Sequence, residues 1–361
     1  MTTEPPKSPK GKSITKTSSS DADTRRELLP WVEKYRPSTL NEVTGQDNII
    51  STVRKFITAG RLPHMLFYGP PGTGKTTTIL AIARELYGEK SFRHMVLELN
   101  ASDDRGIDVV RNQIKTFAST RQMFANSKHN FKLVILDEAD AMTNIAQNAL
   151  RRVIEKYTNN TRFCIIANYA HKINPALLSR CTRFRFSPMS PEAIRTRLDV
   201  VIAAENVKID ADAVDALVTL AKGDMRKVLN VLQPCHLATT GETGVAATVT
   251  VAMVYECVGC PVPADVRRLM TTIIEDDWTT AVRTVAKIKA DRGLALADIL
   301  EALATEFEGY ELKPEARIAL LEGLSEIEYR LSGGGNEAIQ TSGAIGVVKR
   351  ALDIQGGIVQ E

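Results

Sequence analysis

The chain has 361 residues, of which 43% are hydrophobic and 25% are charged, and its formal net charge is +3. This length predicts two or three domains, and this composition is that of an ordinary globular protein. No apolar run approaches the roughly 18 residues that a membrane-spanning helix needs. The small positive charge permits contact with nucleic acid without indicating it, and five scattered cysteines favour a reducing compartment.

The first 27 residues are rich in Ser, Thr, Pro and Lys and contain no apolar core. A secretory signal needs such a core, so a signal peptide is not expected. A segment of this composition buries too little apolar surface to offset the entropy lost on ordering. It is therefore predicted to be a disordered tail.

Residues 62–186 alternate between short apolar runs and amphipathic segments, as α/β units do. Strands are expected at 64–69, 95–100, 131–140, 162–169 and 182–186. Two of the helices between them have clear apolar faces, formed by Ile79, Ile82, Ala83 and Leu86 in one and by Ala146, Leu150, Val153 and Tyr157 in the other. Apolar strands separated by amphipathic helices imply a parallel sheet covered on both faces.

The rest of the chain has a helical pattern. The stretch "SPMSPE" at 187–192 marks the first boundary, and the Gly/Thr-rich stretch at 239–248 marks the second. Three domains are predicted: an α/β domain at 28–187, a small helical lid at 188–240 and a helical C-terminal domain at 250–361. In the last of these, Leu320, Leu324, Ile327 and Leu331 form one stripe that ends before "SGGGN".

The stretch "GPPGTGKTT" follows the first predicted strand and opens a helix, as a phosphate-binding loop requires. Its backbone amides can turn inward around phosphates, Lys75 supplies a charge to the β and γ phosphates, and the Thr76 hydroxyl can ligate Mg²⁺. The residues predicted to contact the nucleotide are Gly69, Pro70, Pro71, Gly72, Thr73, Gly74, Lys75, Thr76 and Thr77. The sequence thus predicts ATP and Mg²⁺ as cofactors.

A second acidic motif, "LVILDEAD", ends the third predicted strand. Asp137 can hold Mg²⁺ through its water shell, and Glu138 can orient and polarise the attacking water. DEAD-box RNA helicases share these last four letters. Their downstream Ser-Ala-Thr segment, arginine-rich final motif and second lobe are missing from this sequence, so that class is rejected.

Two further polar residues are candidates for the same site. Asn168 ends the next strand and can hydrogen-bond the γ-phosphate or the water, although an Asn at a strand end is often only a turn residue. Arg226, in "GDMRKVLN", begins a lid helix and can reach the γ-phosphate, although it is equally typical of a solvated helix residue.

Together, seven motifs resemble the small subunits of replication factor C, the eukaryotic sliding-clamp loader, and the stretches "VEKYRP", "FASTRQMF" and "NALRRVIE" look most similar to its subunit 3. These motifs are "WVEKYRP", "GPPGTGKTT", "ELNASDDRGIDVVR", "LDEAD", "ANYAHKI", "LLSRCTRFRF" and "GDMRKVLN". The resemblance runs from about residue 30 to the C-terminus. It implies an AAA+ ATPase core with a lid and a C-terminal collar, active in DNA replication within a nuclear heteropentamer.

The same resemblance implies partners and a base-binding wall. The partners are the other four subunits, the sliding clamp PCNA and primer–template DNA, with no membrane. The residues that would border the adenine are Val32, Tyr35, Arg36, Pro37, Val43, Thr44 and Gly45. The residues themselves indicate only that an aromatic ring and a proline can make an apolar wall.

Arg180 lies in a Ser-Arg-Cys motif beyond the strand that carries Asn168. Phosphoryl transfer needs positive charge where the transition state develops negative charge, and an arginine can supply it in trans. The resemblance implies that Arg180 is such a finger and reaches the ATP of the next subunit. An isolated arginine of this kind would otherwise be interpreted as part of a surface salt bridge.

Contacts to DNA and to the clamp are the least determined. Arg84, Arg105, Arg111 and Lys115 are predicted to track DNA phosphates without reading bases. Each of them also fits an ordinary solvated charge. Met123 and Phe124 stand in polar surroundings and are predicted to dock on the clamp, with burial under a loop as the alternative.

The sequence argues against two other functions. A DNA helicase motor or initiator ATPase usually carries a winged-helix domain after the lid, whereas this C-terminal region reads as helical. A non-hydrolysing scaffold would have lost part of its site, whereas Lys75, Asp137, Glu138 and Asn168 are all present. The sequence therefore favours an active ATPase subunit.

Overall fold

The computed structural model describes residues 27–101, 110–120, 131–239 and 247–357. Two compact units emerge from the contacts of the chain. The first contains the described residues up to Val201 together with Ala221–Asn230. The second contains Ile202–Leu220 and the described residues from Val231 onward. The three domain boundaries expected from composition stay a prediction.

The first unit is built on a five-stranded parallel sheet. Its strands are β1 (Met65–Tyr68), β2 (Val96–Asn100), β3 (Lys132–Asp137), β4 (Thr161–Ala167) and β5 (Thr182–Arg185). The spatial order is β2-β3-β4-β1-β5, and every neighbouring pair is parallel. All five strands predicted from the sequence are confirmed, with ends that differ from the predicted ones by at most three residues. Strand β4 lies beside β3, as expected for the strand carrying Asn168.

Both faces of the sheet are buried, because alternate residues of a strand point to opposite sides. Met65 and Phe67 pack into one apolar cluster, and Leu66 between them packs into another. Leu133 and Val134 of β3 divide in the same way. This explains the uninterrupted apolar runs from which a sheet with two covered faces was predicted.

Helices flank these strands in the first unit. They are α1 (Trp31–Lys34), α2 (Asp47–Thr58), α3 (Lys75–Met95), α4 (Lys115–Ser119), α5 (Asn144–Tyr157) and α6 (Pro175–Leu178). A π-helical turn, Val110–Ile114, precedes α4, and 3₁₀ turns occur at Ala139–Ala141 and Ala170–Lys172. Helix α3 contains a kink, because Gly88 has a φ of 66°.

The apolar face predicted for α3 is confirmed, since its four residues are all buried. The face predicted for α5 is partly wrong. Ala146 and Leu150 are fully buried and the half-buried Val153 packs against their apolar cluster, but Ile154, which was not predicted, is also buried and Tyr157 is only half-buried. The fully buried residues follow one another at intervals of four, so the buried stripe is rotated slightly from the predicted one. Both sets of residues satisfy a helical period.

Three helices follow the sheet, and each of them has residues assigned to both units. They are α7 (Pro191–Glu205), α8 (Ala211–Ala221) and α9 (Met225–Thr239). The remaining helices lie in the second unit. They are α10 (Val251–Val258), α11 (Pro263–Glu275), α12 (Trp278–Arg292), α13 (Leu296–Glu308), α14 (Pro314–Ser332) and α15 (Glu337–Gly357).

Helices α11 to α15 surround a single apolar cluster. Leu320, Leu324 and Ile327 of the predicted stripe are buried in it, and Leu331 packs against its edge. The stop at "SGGGN" is confirmed, because α14 ends at Ser332 with Gly333 as its C-cap. Within the described part of the chain, no helix combines the length and apolarity needed to cross a membrane.

Candidate nucleotide site

The phosphate-binding loop connects β1 to α3 at the carboxyl edge of the sheet. Gly74, with a φ of 90°, is the residue before α3, and Lys75 is the first residue of that helix. The unpaired amides at the start of a helix attract anions, and the helix dipole adds to this attraction. The local fold therefore provides an anion-binding end at the position predicted from the motif.

Lys75 is held at the centre of the site. Its Nζ donates hydrogen bonds to the carbonyl oxygens of Gly69 and Pro70, both at 2.8 Å, and to Asn168 Oδ1 at 3.0 Å. Only 7% of the residue is exposed. Burial lowers the pKa of Lys75 to about 8, Asp137 opposes this shift, and Arg226 adds to it. The lysine is thus a poorly solvated cation that a phosphate would stabilise.

Thr76 and Asp137 meet beside this lysine. The Thr76 hydroxyl donates to Asp137 Oδ2 over 2.6 Å, and Asp137 Oδ1 accepts from the backbone N–H of Glu138. A hydroxyl and a carboxylate are hard oxygen ligands, which are the ligands that Mg²⁺ prefers. Their juxtaposition fits the Mg²⁺ site predicted from the sequence.

Glu138 follows Asp137 in an unusual backbone conformation. Its φ of 52° and ψ of 38° lie in the left-handed region, which non-glycine residues rarely adopt, and the residue is exposed. Such conformations cost free energy and concentrate at functional sites. The turn places an exposed Glu138 directly after the half-buried Asp137.

Asn168 lies at the end of β4, next to the strand that ends with Asp137. Its side-chain oxygen accepts from Lys75, and its backbone N–H points to Asp140 Oδ1 over 3.4 Å. The structure thus brings together four predicted residues from three strand ends. The residues are Lys75, Thr76, Asp137 and Asn168.

A pocket lies beside the phosphate loop in the first unit. The predicted residues that line it are Val32, Tyr35, Arg36, Pro37, Val43, Thr44, Gly72, Thr73, Gly74, Thr77 and Arg226. Gly45 is not among the lining residues and instead lies near Ala193 and Met189. Most of the residues expected to border the adenine therefore line one pocket, and their contact with a base stays a prediction.

Five other lining residues were missed by sequence reasoning: Glu42, Met189, Arg197, Met225 and Leu229. Arg197 Nη2 donates to the carbonyl oxygen of Tyr35 over 2.7 Å and so ties α7 to the N-terminal wall. Met225 and Leu229 are four residues apart in the motif that contains Arg226, so they lie on one side of the helix. This spacing is the sequence feature that could have indicated them as pocket residues.

Arg180 lies outside this pocket, and the structure gives it a partner in its own chain. Its guanidinium forms a salt bridge with Glu155 on α5 and donates to the carbonyl oxygen of Ala176 over 2.6 Å. The side chains of Arg180 and Glu155 are 35% and 42% exposed. The neighbouring Cys181 packs against the apolar cluster on one face of the sheet, and burial raises the pKa of its thiol to about 11.

Only part of the predicted DNA and clamp surface can be placed. Arg84 on α3 and Lys115 on α4 are exposed. Arg105, Met123 and Phe124 lie outside the described residues, as does the side chain of Arg111.

Two family models match the chain. The model of the ATPase family associated with various cellular activities (AAA) matches residues 65–189, and the replication factor C C-terminal domain matches residues 261–347. With the parallel sheet and the phosphate loop, these matches define an AAA-type ATPase. The chain is 59% identical over 328 residues to replication factor C subunit 3 of Blastobotrys adeninivorans, covering 91% of this chain and 94% of the relative. It therefore belongs to the replication factor C subunit family, as its motifs predicted.

More distant relatives agree with this membership. Replication factor C subunit 3 of Saccharomyces cerevisiae is 58% identical, with 91% of this chain and 95% of the relative covered. Replication factor C subunit 5 of Homo sapiens is 53% identical, with coverage of 92% and 95%. The prediction of a small subunit of this family with ATPase activity is confirmed.

Solved structures of similar fold include RuvB of Thermotoga maritima, described as a Holliday junction branch migration motor. The TM-score is 0.51, at 16% sequence identity, over 78% of this chain and 93% of that chain. A T158V variant of RuvB gives a TM-score of 0.52 at 15% identity, with the same coverage. At this identity the likeness shows the shared fold alone, and the confirmed family, rather than a helicase motor, accounts for the sequence.

Proposed function

We propose that this chain is one of the small subunits of a nuclear pentameric clamp loader, which opens the sliding clamp PCNA and closes it around primer–template DNA. The observation that carries the proposal is the intact set of ATP-site residues in a chain related to replication factor C subunits along nine-tenths of its length. A scaffold subunit would have no need to keep that set.

In this mechanism the chain's own residues bind and orient the triphosphate. Lys75 exchanges a carbonyl partner for a phosphate oxygen, which relieves the cost of its buried charge. Asn168, which is hydrogen-bonded to Lys75, would position the γ-phosphate or the water. Glu138 polarises that water from its exposed turn.

Thr76 and Asp137 would hold Mg²⁺, the hydroxyl directly and the carboxylate through water. When bound, the ion neutralises charge on the β and γ phosphates. The 2.6 Å contact between these two oxygen groups supports the assignment, because it places a hydroxyl and a carboxylate side by side.

Arg180 is proposed to act on the ATP of the neighbouring subunit. It lies outside its own nucleotide pocket, and its salt bridge with Glu155 is half-exposed. Half-exposed ion pairs contribute only about 0–1 kcal/mol, so a more strongly charged phosphate can replace Glu155 as the partner. Arg226, which lines the pocket, is proposed to read the γ-phosphate from the lid side of the same subunit.

Assembly through the second unit is supported by an exposed apolar face on α14. Ile318, Leu321 and Tyr329 are 57%, 49% and 76% exposed. Their spacing of three and eight residues places them on one side of the helix. An exposed apolar stripe of this kind is typical of a surface covered in an assembly.

The proposal is tested by measuring ATP turnover of the purified chain, first alone, then with the other four subunits, and finally with clamp and primed DNA. Negligible turnover that rises at both later steps is expected, because the site is completed by a neighbour. Full turnover by the chain alone would contradict a site completed in trans. Glu138→Gln should retain ATP binding and abolish this chain's share of the turnover.

Arg180→Ala should lower the turnover of the assembled complex and leave ATP binding to this chain unchanged. Arg183→Ala is a matched control, because it also removes an exposed arginine from the same segment. Equal effects of the two variants would remove Arg180 from the role of finger.

The DNA surface is tested by charge reversal at Arg84, Arg111 and Lys115 in the assembled loader. Each lost phosphate contact should reduce the slope of log affinity against log salt by about 0.9. Lys55→Glu, on the exposed side of α2, is the control for each of the three reversals made singly, because each of these variants carries one charge reversal. An unchanged slope in the triple variant would exclude these residues from the DNA path.

A further inference from the structure

The turn that begins α9 is fixed from two sides within the first unit. Gly223 has a φ of 88°, and its carbonyl oxygen accepts from the N–H of Met189 over 3.2 Å. A Cβ atom on Gly223 would lie 2.5 Å from Pro188 Cβ. The segment that follows β5 therefore packs directly against this turn, and only glycine fits there.

The next residue, Asp224, caps α9. Its Oδ1 accepts from the backbone N–H of Arg226 over 2.8 Å and points to that of Lys227 at 3.4 Å. A capping carboxylate fixes the first turn of a helix and favours the positive end of its dipole. The same hydrogen bond therefore holds the backbone of Arg226, whose side chain lines the nucleotide pocket.

The same carboxylate also touches the phosphate loop. A Cβ atom on Gly72 would lie 1.6 Å from Asp224 Oδ1 and 2.2 Å from its Cγ, so no side chain fits at this loop position. Gly72 thus has a second reason to be glycine besides its φ of 69°. It leaves room for the residue that caps the helix carrying Arg226.

We propose that Asp224 is a positioning residue that joins the start of α9 to the phosphate loop at Gly72, so that Arg226 and the loop move together when nucleotide binds. The inference builds on the proposed role of Arg226 and adds a residue that acts through it. A displacement of the loop at Gly72 meets the carboxylate directly, and the carboxylate holds the backbone of Arg226. The phosphate loop and the first turn of α9 are therefore linked through one side chain.

The test measures binding of ATP with a fluorescent ribose label to the full chain. Asp224→Ala should weaken binding by roughly fivefold, which is the contribution of a helix cap to stability expressed as an affinity ratio, because here the cap holds Arg226 in place for the nucleotide. Asp224→Asn keeps the accepting oxygen and should stay within about twofold of the unsubstituted chain. Asp277→Ala is the matched control, because Asp277 caps α12 in the second unit by the same kind of bond. It should leave nucleotide affinity unchanged.

A double-variant cycle separates positioning from general destabilisation. If Asp224 acts through Arg226, Asp224→Ala should have no further effect once Arg226→Ala is present. A similar loss of affinity in both backgrounds would overturn the proposal. An Arg226→Ala variant that binds as well as the unsubstituted chain would refute the role of Arg226 itself.

Hydrogen exchange tests the joint independently of nucleotide affinity. Asp224→Ala should speed exchange of the backbone amides at 226–228 and also of those in the loop at 72–76, whereas Asp277→Ala should change neither. Faster exchange in α9 with unchanged exchange in the loop would mean that Asp224 is only a helix cap, and it would overturn the proposed coupling of α9 to the phosphate loop. That outcome is readable even if Arg226 has no role.

Discussion

The buried charge of Lys75 predicts how nucleotide affinity depends on pH. Burial lowers the pKa of this lysine to about 8, and a bound phosphate would raise it again. ATP binding therefore favours the protonated lysine, and the affinity should fall as the pH rises through 8. The direction follows from linkage, because the complex binds a proton that the free chain has lost.

The size of the effect follows from the same pKa. A group with a pKa of about 8 is roughly three-quarters protonated at pH 7.5 and about one-tenth protonated at pH 9. If the complex keeps its proton, the dissociation constant for ATP should rise about eightfold between these pH values, which is about 1.2 kcal/mol. Titration of the full chain with labelled ATP at constant ionic strength measures this dissociation constant at each pH.

Lys75→Arg is the matched control. Arginine keeps its charge throughout this range, although its planar group fits the loop less well. Its affinity should be lower at pH 7.5 and then unchanged up to pH 9. A flat profile for the unsubstituted chain, or an equal decline in both proteins, would refute the assignment of this pH dependence to Lys75.

Three further outcomes concern stability, each measured by urea unfolding of the chain. Burial and the nearby Arg162 lower the pKa of His64 to about 4. Between pH 6.5 and pH 4 the unfolded chain therefore binds a proton that the folded chain excludes. The free energy of unfolding should fall by up to about 3 kcal/mol over this range. His64→Gln should abolish most of that decline, and a persisting decline would assign it elsewhere. Thr143 caps α5 by accepting from the N–H of Ala146, so Thr143→Ala should cost about 1 kcal/mol and Thr143→Ser much less. Leu320→Ala should cost about 3 kcal/mol, because this side chain is fully buried, whereas Ile318→Ala on the exposed side of α14 should be nearly neutral in the unassembled chain.

The parts of the site that the sequence predicts well are those in which chemistry restricts the residue type. Only glycine suits several positions of the phosphate loop, and only certain polar groups can meet a phosphate or Mg²⁺ at strand ends. Lys75, Thr76, Asp137 and Asn168 were identified for this reason, and the structure places them in direct contact. The parallel sheet was predictable because its strands are apolar on both faces.

The pocket beside the phosphate loop was predicted less completely, because its remaining wall comes from segments far apart in the chain. Met189 follows the last strand, whereas Met225 and Leu229 begin α9. An apolar residue that lines a pocket has the same sequence pattern as one that fills a core. Spacing alone also could not distinguish Ile154 from Val153 on α5, because both satisfy the helical period.

The partner of Arg180 shows the same limit in electrostatics. Glu155 is on α5 and Arg180 follows α6, and nothing in local spacing pairs them. Their contact exists because α5 and α6 pack on the same face of the sheet. If Arg180 acts on a neighbouring subunit, it must first leave Glu155. The phosphates of the neighbour's nucleotide then compete with the Glu155 carboxylate for the guanidinium of Arg180. Because the pair is half-exposed and therefore weak, the exchange is small in free energy, and the charge on the neighbour's nucleotide can decide it. The salt bridge and the proposed finger role are therefore compatible, since a partner that holds the arginine in order and releases it at low cost is what a group acting in trans requires.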